Sequence, residues 1–190
     1  MCCGTKRLVE IQCPADCVYL ASAREHPAAA TIRRQQHDLS MLLQFMRDLS
    51  ERQSQLFFVV GSFLVHYQAP ELQPLIDVDV AEAAGALAAT LETSARGVIY
   101  EHRPASLPAE RLMAALKPVL NQAGSRGGTA FERDAAVVMR RVEEAARAMQ
   151  SEEPSDRRAF LDLLARVLRQ AQPPDALAAA QAEEPRLIVP

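Results

Sequence analysis

Cys2, Cys3, Cys13 and Cys17 are the only cysteines of this 190-residue chain. Thiolates are the ligands that structural zinc takes in sets of four, held tetrahedrally at a closed site. If Cys13 caps a helix that Pro14 opens, Cys17 falls on the same edge of the first turn. The positive end of the helix dipole there favours the thiolate form that binds metal. The spacing therefore predicts one zinc ion held by Cys2, Cys3, Cys13 and Cys17, with His26 or His37 as a substitute ligand should Cys2 or Cys3 not bind. Four sulfurs leave no open position for water, so such an ion would staple the amino terminus rather than catalyse. Lys6 and Arg7 beside it would soften the charge of the thiolates or meet an anionic partner, although solvated surface charges explain them as well.

Other uses of the same sulfurs have weaker support. An iron–sulfur cluster normally draws on a compact C-x2-C-x2-C grouping, which is missing. A thiol–disulfide enzyme normally shows C-x-x-C beside a βαβ pattern, and neither is present. Free thiols, with Cys17 as a small buried side chain, are the plainest alternative. Cys2-Cys3-Gly4 resembles the Cys-Cys-Gly ending of small SEC-C-type zinc modules over three residues only. The upstream C-x-C of those modules is absent, so the resemblance implies metal binding and nothing about function.

Elsewhere the chemistry-bearing residues are scattered. No histidine has a glutamate three residues before it, which argues against a di-iron centre. His66 and His102 read as satisfied buried or boundary histidines on or near core faces, and Glu101-His102 suits a helix end. Gly61-Ser62 lies inside an apolar helix without the G-x-S-x-G elbow. Gly124-Ser125-Arg126-Gly127-Gly128 lacks the Lys-Ser or Lys-Thr of a phosphate loop. Four basic doublets, Lys6-Arg7, Arg33-Arg34, Arg140-Arg141 and Arg157-Arg158, can form a nucleic-acid patch if the fold gathers them. As the wet face of amphipathic helices they would be balanced by Glu143, Glu144, Glu152 and Glu153.

The elements that must position these residues are helical. Helix-favouring residues dominate, tryptophan is absent and only seven glycines occur, which together predict an all-α chain. Its length suits one body with a small appendage. A first helix is expected from Cys13 to before Pro27. A long one follows over Thr31–Gln68, carrying Leu39, Leu42, Leu43, Met46, Leu49, Leu56, Phe57, Val60 and Leu64 at helical spacing. Its second half has apolar residues all round and is expected at the centre of the bundle, with a break or fresh start at Asp48–Glu51. Another helix spans Asp79–His102, where Ala83-Ala84-Gly85-Ala86 permits close helix contact. Ser106 starts the next, which Pro118 should kink or shorten. Thr129-Ala130-Phe131-Glu132 has the form of a capping box before a stripe ending at Met149, and Ser155 can cap a last helix that Pro173-Pro174 stops.

The expected architecture is a bundle of five to six helices with a short Cys-rich amino-terminal metal-binding segment. Its divisions are 1–27 (metal segment and first helix), 28–172 (helical bundle) and 173–190 (tail). A net charge of −3 gives no global attraction to nucleic acid or anionic lipid. The longest apolar run, Leu56–Val65, is half of a membrane span. No signal-peptide stretch opens the chain, so a cytoplasmic protein with reduced thiols is expected. The functional expectation is a zinc-binding helical protein with a non-enzymatic binding or adaptor role, engaging a protein partner or a second copy of itself. The competing expectations are a metal-dependent or thiol redox enzyme using the same cysteines, and a nucleic-acid-binding regulator using the arginine doublets.

Overall fold

A computed structural model describes residues 29–70, 74–124, 128–150 and 157–171. They form six helices: α1 (Ala29–Phe45), α2 (Glu51–His66), α3 (Asp77–Ser94), α4 (Leu107–Gly124), α5 (Gly128–Ala148) and α6 (Ala159–Ala171), with no strand among the described residues. The all-α expectation is met. The cysteines, the first expected helix, the Ser155 cap and the tail all lie outside the described residues. The chain divides into two units, of which the larger runs from Asp38 to Arg169 and contains the core and the groove described below.

The long helix expected over Thr31–Gln68 is two helices. After Phe45 the chain turns, with Asp48 in the left-handed region (φ 67), a conformation that Asp tolerates better than most residues. Ser50 then opens α2 with a reciprocal capping box. Its Oγ accepts from the Gln53 N–H at 3.3 Å, and the Gln53 side chain accepts from the Ser50 N–H at 3.0 Å. Two orphan donors are thereby satisfied. The second half of the segment, expected at the centre of the bundle, is buried along one face. Leu56, Phe57, Val60 and Leu64 are buried, but Phe58 and Val59 are 40% and 46% exposed.

α3 is the central helix, packing most extensively on α5 and next on α4. It ends at Ser94, eight residues short of the expected His102, because Gly97 takes a left-handed φ of 81° and carries the chain out of the helix. The following strip is tied back along the helix end, where the His102 N–H donates to Thr90 Oγ1 at 2.9 Å. Those bonds replace the helical ladder that the apolar spacing suggested.

The acidic first turns of α3 anchor two other helices. Asp77, 1% exposed, accepts from the Phe160 and Leu161 N–H groups at 2.8 and 3.2 Å. It thus caps the start of α6 from another part of the chain. Asp79 accepts from Ser106 Oγ at 3.1 Å, and Glu82 accepts from the Ser106 N–H at 3.0 Å. Ser106 Oγ in turn accepts from the Ala109 N–H, so α4 starts where its sequence predicts. α4 continues through Pro118 to Gly124 rather than stopping short. Pro118 and Ala114, whose carbonyl loses its helical partner there, are both on the wet side, where water can take up the freed acceptor. At the other side of the bundle Arg166 makes a two-point bond to the nearly buried Asp38, at 2.7 and 3.0 Å.

The core that these helices share includes Leu42, Phe57, Val60, Val80, Leu87, Leu112, Leu116, Val138, Met139, Val142, Phe160 and Leu164. α3 approaches α5 closely at Gly85, where a Cβ would lie 2.7 Å from Glu143 Oε1. The expectation of close contact at Ala83–Ala86 is met, and what fills the space is a carboxylate rather than a facing small residue.

Candidate functional site

α3 and α5 leave an open groove of about 460 Å³ on one side of their contact. Its lining residues are Glu92 from α3, Ala95 and Arg96 from the turn that follows it, and Arg133, Ala136, Val137, Arg140, Arg141 and Glu144 from α5. Arg133, Val137 and Arg141 are spaced at i, i+4 and i+8, which puts them on one face of α5 over about 12 Å of helix. An apolar side chain therefore stands between two cations along one wall. Arg96 contributes a third guanidinium from the other wall.

Two of the arginines belong to the scaffold. Arg140 grips Glu92 with a fork, Nε to Oε1 at 2.7 Å and Nη2 to Oε2 at 2.9 Å, while its Nη1 reaches Glu143 Oε2 at 2.9 Å. Arg147 bonds the other oxygen of Glu143 at 2.7 Å. The chain Glu92–Arg140–Glu143–Arg147 ties α3 to α5, and its two-point geometry is the strong form of an Arg–carboxylate bond. Hydrogen bonding from Arg140 holds the Glu92 carboxyl below the ordinary carboxylate range, and the bond to Glu92 pushes the Arg140 guanidinium still further from deprotonation. Arg141 bonds Glu144 at 3.0 Å and reaches the Arg47 carbonyl at 3.4 Å. The balance of Arg140-Arg141 by Glu143 and Glu144 expected from the sequence is present, but Glu92 is a partner that no spacing along one helix reveals.

Arg96 and Arg133 are different. Both are exposed, and among the described residues neither guanidinium makes a hydrogen bond or ion pair. Arg96 lies near enough to Glu92 to help lower its pKa. With Glu92 and Glu144 taken up by Arg140 and Arg141, the groove presents two uncommitted positive charges over the apolar surface of Ala95, Ala136 and Val137. The arrangement can hold an anion attached to an apolar body. It offers no nucleophile with an adjacent base.

The residues singled out from the sequence are dispersed. Cys2, Cys3, Cys13, Cys17 and His26 lie outside the described residues, and no group of three or more His, Cys, Asp or Glu converges as a metal site among the described ones. His37 and His66 are exposed. The His66 Nδ1–H donates to the Ser62 carbonyl at 2.7 Å, one turn back in its own helix, so His66 stands outside the core. His102 packs edge-on against Tyr100, ring centroids 4.8 Å apart, and Glu101 pairs with Lys117 of α4 rather than capping a helix end. Gly61 packs against Leu164 in the core, which leaves the neighbouring Ser62 without the setting of a nucleophile. Of the basic doublets among the described residues, only Arg140-Arg141 lines the groove. Its companions Arg96 and Arg133 carried no sequence signal, because they are single arginines far apart in the chain.

No helix among the described residues is long and apolar enough to cross a membrane. No protein-family model, curated protein or solved structure matches this chain.

Proposed function

We propose that this protein is a non-enzymatic helical binding module, an adaptor, whose recognition surface is the groove between α3 and α5. The observation that supports the reading is the pairing of a rigid frame with uncommitted charge. The frame is the salt-bridged lattice Glu92–Arg140–Glu143–Arg147, and the free charges are Arg96 and Arg133. Sites built on packed helices lose little conformational entropy when they bind, which favours recognition. Further support comes from Leu39 and Leu43, one turn apart on α1 and 46% and 56% exposed. Apolar side chains left in water on one helix suit a protein that meets other proteins.

Zinc belongs to the same proposal. Cys2, Cys3, Cys13 and Cys17 are the residues that would hold it, and the donor set of four thiolates suits a structural ion. The purified chain should be colourless and release about one zinc ion per molecule when its thiols are modified. Cys13→Ser should lower the metal content while the α2–α6 body keeps its thermal transition. A brown protein, or unchanged zinc content in Cys13→Ser, would contradict the assignment.

A further inference from the structure

We infer that the α3/α5 groove recognises an acidic amphipathic segment of a partner protein, in which a carboxylate lies within one helical turn of a large apolar side chain. The inference rests on the binding-module reading and specifies its ligand. Charge complementarity argues for it first. Arg96 and Arg133 both line the groove with no carboxylate bonded to either among the described residues, and a guanidinium is built to take a carboxylate with two parallel hydrogen bonds. Val137 follows Arg133 by one turn on the same face, and Ala95 and Ala136 add apolar surface. A ligand that satisfies both features must carry its acid next to its hydrophobe. The volume of about 460 Å³ holds a few side chains, in the range of ordinary binding clefts.

Nucleic acid fits the same groove less well. A phosphate backbone would run past Glu92 and Glu144, which line the walls. Among the described residues the lining includes no aromatic ring on which a base can stack, and two free cations neutralise too few phosphates for the counterion release that drives such binding. The net charge of −3 also opposes the approach of a long polyanion. A short acidic segment needs neither base stacking nor extensive counterion release.

The test is a selection of random dodecapeptides displayed on phage against the immobilised full-length chain, followed by affinity measurement on the recovered peptides. Recovered sequences should be enriched in Asp or Glu within four residues of Leu, Ile or Phe. Their affinity should fall roughly tenfold or more in the Arg96→Gln/Arg133→Gln double variant, which keeps side-chain length and some hydrogen bonding but removes the charge. Arg103→Ala, an exposed arginine outside the groove, should bind as the unaltered protein does. Both sites of substitution are on the surface, and an unchanged thermal transition in the double variant shows that any loss is not one of folding. Peptides without acidic enrichment, or with the same affinity for the double variant, would overturn this inference while leaving the adaptor reading standing. Failure to recover any peptide above background would overturn both. Binding of mixed-sequence single-stranded DNA that depends on Arg96 and Arg133 would replace the acidic segment with nucleic acid as the occupant.

Discussion

Asp77 should make this protein lose stability as the pH rises from about 4 to about 7, and Asp77→Asn should remove that loss. The carboxyl is 1% exposed, and burial pushes its pKa from the ordinary 3.8 up to about 6, against the pull of the Phe160 and Leu161 N–H groups that it accepts from. Asp162 nearby pushes the same way, and Arg158 opposes it. A group whose folded pKa is raised binds more protons folded than unfolded, so its stabilising contribution is complete below 3.8 and is lost as the pH climbs through the folded value. At about 1.4 kcal/mol per pH unit, the rise to about 6 corresponds to about 3 kcal/mol in all, of which roughly 2 kcal/mol falls between pH 4 and 7. The assay is urea unfolding of both proteins across that range. The stability of the unaltered chain relative to Asp77→Asn should drop by roughly 2 kcal/mol, since the contributions of other groups cancel in the comparison. Parallel pH profiles, or an Asp77 carboxyl signal that titrates at or below 4, would refute the reasoning. Asp77→Ala should cost more at any pH, about 2–5 kcal/mol, because it strands two buried N–H groups at the start of α6.

Gly85→Ala should destabilise the fold by about 1–2 kcal/mol even though alanine favours helix. The added Cβ meets the Glu143 carboxylate at 2.7 Å, and Arg140 and Arg147 hold that carboxylate in place. In a Glu143→Ala background the same substitution should become neutral or stabilising in urea unfolding, and equal effects in the two backgrounds would contradict the crowding. Ser106→Ala should lower stability by about 1–2 kcal/mol, since it removes both the α4 cap and the hydroxyl donated to Asp79. A change within experimental error in thermal melting would count against that cap.

The sequence reveals local structure well and long-range partnership poorly. The start of α4 at Ser106 was legible because a cap acts on N–H groups within three residues of itself. The helical character of 31–66 was legible too, but the break at Asp48 was only suggested, since its left-handed backbone leaves the apolar spacing on both sides intact. The end of α3 was misplaced because Val98 and His102 continue the stripe after Gly97 has turned the chain away. Phe58 and Val59 look like core residues from composition, and no facing element covers them fully. Asp77 lies two residues before the start expected for its helix and carried no signal, because its bonds go to α6, more than eighty residues away. The groove was hidden for the same reason. Arg140-Arg141 was visible as a doublet, but its meaning depends on Glu92 and Arg96 arriving from another part of the chain.

The most direct measurement is to map amide chemical-shift changes in the full-length chain as a selected acidic–apolar dodecapeptide is added. The largest changes should fall on residues 92–96, at and just past the end of α3, and 133–144 of α5, and should vanish in Arg96→Gln/Arg133→Gln. Changes concentrated on other helices, or undiminished in that variant, would show that the recognition surface lies elsewhere.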